Sequence, residues 1–254
     1  MKRFEFNVYA LLKIIILLGF GAFFFNIILT GSIKLYVHPR MEPFIAFFAV
    51  IATIISISSA RRIFRSSQKR TSRLSIAIFC IPLAVIVFVP PNVPGSSDVS
   101  GQAVQLSQQS GQGAAQTGAV SQSSTWGAKE LTLQNDTVVV DGGNFVQWMG
   151  ELSNNLDKYA GKKVEITGFI FKDKGLDHGR FVAARFMMIC CTADLQVVGL
   201  MCKYGNAASL KKDAWYKVEG IIGKTAYNGS DVPYIAVSTL ETAQKPADEY
   251  VYPY

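Results

Sequence analysis

Histidine is nearly missing from this chain: there are 2 in 254 residues, which leaves a histidine-dependent hydrolase little to work with. No glycine-rich nucleotide loop, no His-Glu-x-x-His and no Gly-x-Ser-x-Gly occurs. Paired Cys-x-x-Cys knuckles of the structural-zinc kind are absent as well. These absences predict a protein that is not an enzyme and takes no cofactor. Acid is the other scarcity. Up to Pro91 there are 2 Asp/Glu against 11 Lys/Arg, a net of +9, whereas from Asn92 onward 16 face 14, a net of −2. The basic balance therefore belongs wholly to the first third.

That third is built from long apolar runs. Val8–Leu29 holds 22 residues interrupted only by Lys13, Gly19, Gly21 and Asn26. At about 1.5 Å per residue it covers the roughly 30 Å of a hydrocarbon core. Lys13 lies near one end and can snorkel to the interface. The run exceeds the 7–15 apolar residues of a signal peptide and no small-x-small cleavage site comes after it, so an uncleaved helix is expected. Pro43–Ala60 is the second run, with Pro43 suited to a first helical turn. Leu74–Val89 is the third and shortest, containing Pro82 and ended by Pro90-Pro91; flanking residues extend it to 91, and a re-entrant or interfacial helix is the alternative to a span. Three transmembrane helices, at about 8–29, 43–60 and 74–91, form a predicted anchor over residues 1–91.

Orientation is set by charge. Arg61, Arg62, Arg65, Lys69, Arg70 and Arg73 crowd the loop between the second and third runs with no acid among them. Such a loop stays cytoplasmic, which places the N-terminus inside and everything after Pro91 outside the cell membrane. Contact with anionic lipid explains this loop without any nucleic-acid role.

Residues 92–127 are rich in Ser, Gln and Gly, with Asp98 the only charge. This composition predicts a disordered tether spanning on the order of 30 Å. From residue 128 to 254 the pattern turns to β. Thr137–Val140 is a short β-branched run. Phe145, Trp148, Met149, Leu152, Leu156 and Tyr159 have helical spacing after a candidate N-cap, Asn144. Strands are expected at Lys163–Phe171, Arg180–Cys191, Leu195–Tyr204, Trp215–Gly223 and Val232–Thr239, with turns at 173–175 and 228–229. Five short strands bent at glycines predict an all-β, OB-like barrel domain with one or two helices. Basic patches interleaved with aromatics, which an oligonucleotide-binding barrel needs, are not visible in this net-negative segment, so no nucleic-acid partner is expected.

Cys190-Cys191-Thr192-Ala193-Asp194 is the reactive-looking motif. On a strand the two cysteines would leave on opposite faces, yet both faces are apolar, so periodicity does not say which is inside. Three readings stay open: cysteine as a small buried hydrophobe; a thiolate metal site using Cys191 and Asp194 with Cys202 or His178; and a redox pair of Cys191 with Cys202, which an outward-facing domain permits. Cys80 lies in an apolar run and reads as a packing residue. Trp126, Trp148 and Trp215 read as core or interface anchors.

Four motifs resemble those of the YcgQ-like family of Gram-positive bacteria: Tyr36-Val-His38-Pro39-Arg40-Met41; Arg185-Phe186 with Cys190-Cys191-Thr-Ala-Asp194; Trp215-Tyr-Lys-Val-Glu-Gly220; and Pro246 with Tyr250-Val-Tyr-Pro253. They span all but the linker. The resemblance implies a membrane anchor with an outward-facing domain, an accessory subunit beside a polytopic permease that handles a small solute or ion. Many relatives carry a His-rich stretch between the second and third helices. Arg61–Arg73 has none here, which counts against any metal-handling role for this member.

Overall fold

The computed structural model describes residues 8–60, 81, 95, 105–106, 131, 133–172, 176–227 and 229–253. The basic loop 61–73, the third apolar run with Cys80, most of the linker, Trp126 and the 173–175 turn lie outside the described residues. The chain divides into two compact units, Met1–Val93 with Cys190–Thr192, and Pro94–Ile189 with Ala193–Tyr254.

In the first unit, α1 covers Val8–Leu29 and α2 covers Glu42–Ala60. Gly31 ends α1 in the left-handed region at φ 70°, where a missing Cβ removes the steric penalty. A 3-10 turn over Ser32–Leu35 buries Ile33, and a second over Pro39–Met41 leads into α2. The helices pack with Gly21 against Thr53, whose Oγ1 would sit 3.0 Å from an added Cβ. Thr53 and Ser56 return their hydroxyls to the Ala49 and Ala52 carbonyls at 2.8 and 2.7 Å, the satisfaction that an apolar surrounding demands. Phe25, Leu29, Phe44, Phe47, Phe48, Ile54 and Ile57 point outward, each more than half exposed. A surface of this kind is suited to lipid or to another apolar partner.

The hydropathy pattern predicts three spans. Among the described residues, one helix, Pro39–Ser58 at 20 residues, is long and apolar enough to cross a membrane by length and composition; Ile14–Leu29 is a shorter apolar helix.

The second unit is mostly β. Its strands are β1 (Gln105–Leu106), β2 (Thr137–Val140), β3 (Lys163–Phe171), β4 (Arg180–Met187), β5 (Gln196–Lys203), β6 (Trp215–Tyr227), β7 (Ser230–Thr242) and β8 (Tyr250–Val251), joined in an eight-stranded sheet. β3 pairs β4, β4 pairs β5, β5 pairs β7 in parallel, β7 pairs β6, and β6 returns to β3. Two glycines let strands crowd and change partner. A Cβ at Gly168 would lie 2.7 Å from the Ala184 carbonyl, where β3 passes from β6 to β4. One at Gly220 would lie 2.3 Å from the Ala236 carbonyl, beside the irregularity at Glu219/Gly220. No side chain fits such an approach.

Two residues of the predicted tether belong to this sheet: β1 pairs in parallel with Val198 and Gly199. β7 meets β5 only at Met201–Lys203, so the earlier part of β5 has an edge to be covered. The expected helix over 145–159 is two, α3 (Phe145–Asn154) and α4 (Leu156–Tyr159), broken at Asn155 with φ −125° and ψ 40°. Phe145, Trp148, Met149 and Leu152 bury the inner face of α3 in the core, each worth about 2 kcal/mol. Trp148 meets Tyr159 edge-on at 5.5 Å. Asn144 occupies the N-cap without capping through its side chain. That side chain instead accepts from Asp141 N at 2.8 Å and donates to Val139 O at 3.2 Å, while Asp141 Oδ1 accepts from Gly143 N and Asn144 N. The reciprocal Asp–Asn loop uses up the group that would have capped the helix.

Candidate functional site

The expected strand through Cys191 stops at Met187. β8 takes over there: Met187 pairs with Val251, and Met188 N donates to Val251 O at 3.0 Å. From Met188 the chain runs as a loop, so the rule that neighbouring side chains leave on opposite faces does not govern the cysteines. Cys190 Sγ and Cys191 Sγ lie 3.5 Å apart. Asp194 closes the loop within a 3-10 turn over Thr192–Asp194, its Oδ1 accepting from Ile189 N at 2.9 Å. One ligand atom each from Cys190, Cys191 and Asp194 falls within 4.8 Å of the others. Cys190 is exposed, and Cys191 and Asp194 are partly so. Two soft sulfurs and one hard oxygen make a donor set for a thiophilic cation with open positions.

The structure does not bring Cys202 to this loop. Cys202 sits on β5 opposite Phe181, fully buried in the core, with its thiol 3.5 Å from the Leu200 carbonyl. Burial pushes that thiol up to about 12, so it is a small hydrophobe at neutral pH. The readings that needed Cys202 as a ligand or redox partner are therefore corrected. His178 is exposed in the turn before β4 and outside the cluster.

Within the first unit, Tyr36–His38 runs antiparallel to Cys190–Thr192. Val37 bridges Cys191, His38 N donates to Cys190 O at 3.0 Å, and Thr192 N donates to Tyr36 O at 2.9 Å. His38 is 4% exposed and uses Nδ1 to accept from Arg40 N at 3.0 Å, capping the Pro39–Met41 turn. Two motifs about 150 residues apart in sequence thus share a backbone ladder. Its signal in the sequence is slight: an isolated Tyr-Val-His between Gly31 and Pro39.

Arg185, Phe186 and Trp215 form a second group. The Arg185 guanidinium lies over the Trp215 ring at 5.0 Å and donates from Nη2 to the Asp248 carbonyl. Phe169 stacks between Phe186 at 4.7 Å and Trp215 at 5.8 Å. Arg185 is 2% exposed. Burial lowers its pKa, while the charges of Asp248 and Asp141 oppose that. No carboxylate of the described residues lies within ion-pair distance of it, so it acts as a tie for the C-terminal segment.

The fold and the loop define a class: a protein of two units, one with apolar helices and one mostly β, whose 190–194 loop holds a thiol–carboxylate cluster. Residues 116–253 match the DUF1980 C-terminal domain and residues 12–105 the DUF1980 N-terminal domain; the chain belongs to this family. It is similar to UPF0703 protein YcgQ of Bacillus subtilis (strain 168), with 28% identity over 126 residues, 49% of this chain and 42% of that protein. The match spans less than half of that relative's length.

Proposed function

We propose that this chain is a non-enzymatic, membrane-anchored accessory protein that holds a thiophilic cation in the Cys190–Cys191–Asp194 loop. The observation that carries the reading is the convergence of the three ligand atoms within 4.8 Å. The strand circuit β3–β4–β5–β7–β6 supports reading the second unit as an OB-like barrel, with β5 and β7 parallel where the circuit closes. Pro39–Ser58 supports a membrane anchor. The charge of 61–73 supports a cytoplasmic N-terminus and an extracytoplasmic barrel after three spans. In this reading the helices pack on a polytopic permease, and the loop presents or gates a small ion for it.

The full chain in neutral detergent, with its thiols reduced, should bind one zinc or cadmium ion per molecule by competition against a chromogenic chelator. Cys190→Ser, Cys191→Ser and Asp194→Asn should each abolish this without altering the thermal midpoint. No saturable binding by the reduced wild type would remove the cation reading. The 3.5 Å sulfur separation favours one rival, a vicinal redox pair of Cys190 and Cys191. That rival requires a mass loss of two hydrogens on mild oxidation, reversed by a dithiol.

A further inference from the structure

A pocket of about 90 Å³ opens among β4, β5, β6 and β7, lined by Arg180, Met201, Lys203, Lys224, Thr225 and Tyr234. Every charged side chain in its lining is basic. The sheet register creates this: Arg180 on β4 is directly opposite Lys203 on β5, a cross-strand placement of like charges that destabilises a bare sheet. Lys224 enters from β6. Tyr234 on β7 pairs with Gly223 and also with Met201. Its ring lies across Gly223, where a Cβ would meet it at 2.5 Å, so the glycine makes room for the aromatic wall.

Part of the positive charge is met from outside. Arg180 Nε lies 3.5 Å from Asp177 Oδ2 and Lys224 pairs with Asp157, but those carboxylates are 78% and 90% exposed and are worth little as surface pairs. Arg180 Nη1 reaches only the Met201 sulfur at 3.7 Å. Lys203 joins no ion pair among the described residues. The fold thus sets Arg180 beside an exposed Lys203 at a concave site that also offers the Thr225 and Tyr234 hydroxyls.

We infer that this pocket binds a phosphate-class oxyanion. Arg180 supplies planar N–H donors, Lys203 and Lys224 supply point charge, and Tyr234 and Thr225 supply neutral hydroxyl donors. The anion would be met by basic groups from three strands, β4, β5 and β6. The pocket is built from residues other than those of the cysteine loop, so it stands or falls separately from the cation reading.

The test is calorimetric titration of the full chain in neutral detergent with inorganic phosphate, and separately with glycerophosphoglycerol, the headgroup of phosphatidylglycerol without its chains. Saturable phosphate binding that Lys203→Gln weakens about tenfold, and Tyr234→Phe more mildly, supports a free phosphate ligand. A response to glycerophosphoglycerol alone, with the same dependence on Lys203, supports the same chemistry on a lipid. Lys203→Gln should also unfold no earlier than wild type without anion, and gain less from a given phosphate concentration than wild type does, a pattern that a purely structural lysine does not produce. No saturable binding of either probe, or equal affinity in wild type and Lys203→Gln, overturns the inference.

Discussion

Arg185 offers a direct measurement of what holds the C-terminal segment. β8 is two residues long, pairing Tyr250 and Val251 with Phe186 and Met187, too little to hold a strand alone. The guanidinium adds a charged hydrogen bond to the Asp248 carbonyl and a seat on Trp215, worth about 1.5–3 and about 1 kcal/mol. Against these stands the desolvation of a side chain 2% exposed, whose Nε has no hydrogen-bond partner among the described residues, at several kcal/mol. Charge and cost therefore nearly cancel, and most of the net value is volume. Arg185→Met keeps the volume and should cost under about 1 kcal/mol. Arg185→Ala opens a cavity and should cost about 3 kcal/mol, a fall of roughly 10 °C in midpoint for a domain of this size. Intrinsic tryptophan fluorescence on heating the full chain in detergent reads this. Carboxypeptidase should trim the C-terminus faster in both variants, because both lose the tie to Asp248. If Arg185→Ala melts with wild type, the tie is illusory; if Arg185→Met falls as far as Arg185→Ala, charge outweighs packing and the assignment to volume is wrong.

Burial and charge give two further outcomes. In the folded chain at pH 8, N-ethylmaleimide should modify Cys190 and Cys191 while sparing Cys202, whose thiol is pushed up to about 12; peptide mapping that finds Cys202 modified at a comparable rate before denaturation would contradict its core placement. The Tyr159 hydroxyl, with Asn155 and Lys158, holds the Glu151 carboxyl below its ordinary 4.5 despite opposing burial, so its contribution is present above that value and is lost as pH falls through the lower, folded one. Glu151→Gln should therefore destabilise at neutral pH, and the gap to wild type should close on acidification; a gap constant from pH 7 to 3 would refute it.

Much of the fold is legible in the sequence because its local signals are strong. Val8–Leu29, Thr137–Val140 and Lys163–Phe171 have the bounds that the sequence pattern predicts, each an apolar or β-branched run closed by a clear stop. β6 runs past its predicted end and β7 begins before its predicted start because Lys224–Tyr227 pair with Ser230–Pro233 across a turn with Gly229 at φ 81°; polar residues at a sheet's outer end leave no hydrophobic trace. β4 and β5 are buried on both faces, so alternation does not show which face Cys202 takes, and only the pairing of Phe181 with Cys202 does.

The cysteine loop and the basic pocket are hidden for opposite reasons. At Met187 nothing in the sequence halts a run of Phe, Met, Met and Ile. The strand ends where its partners end: Met187 pairs with Gln196, the first residue of β5, and with Val251, the last of β8, more than 60 residues later. A long-range pairing therefore decides that Cys190 and Cys191 share a loop and place their sulfurs together. In the pocket the residues are plain, but a net charge of −2 averages them away. Arg180 and Lys203 are 23 residues apart, and only the antiparallel β4–β5 register sets them opposite each other. Charge counted along a chain measures solubility and topology. Charge counted across a sheet shows which basic groups a fold gathers, and basic groups from three strands gathered at one concave surface are an argument for an anion.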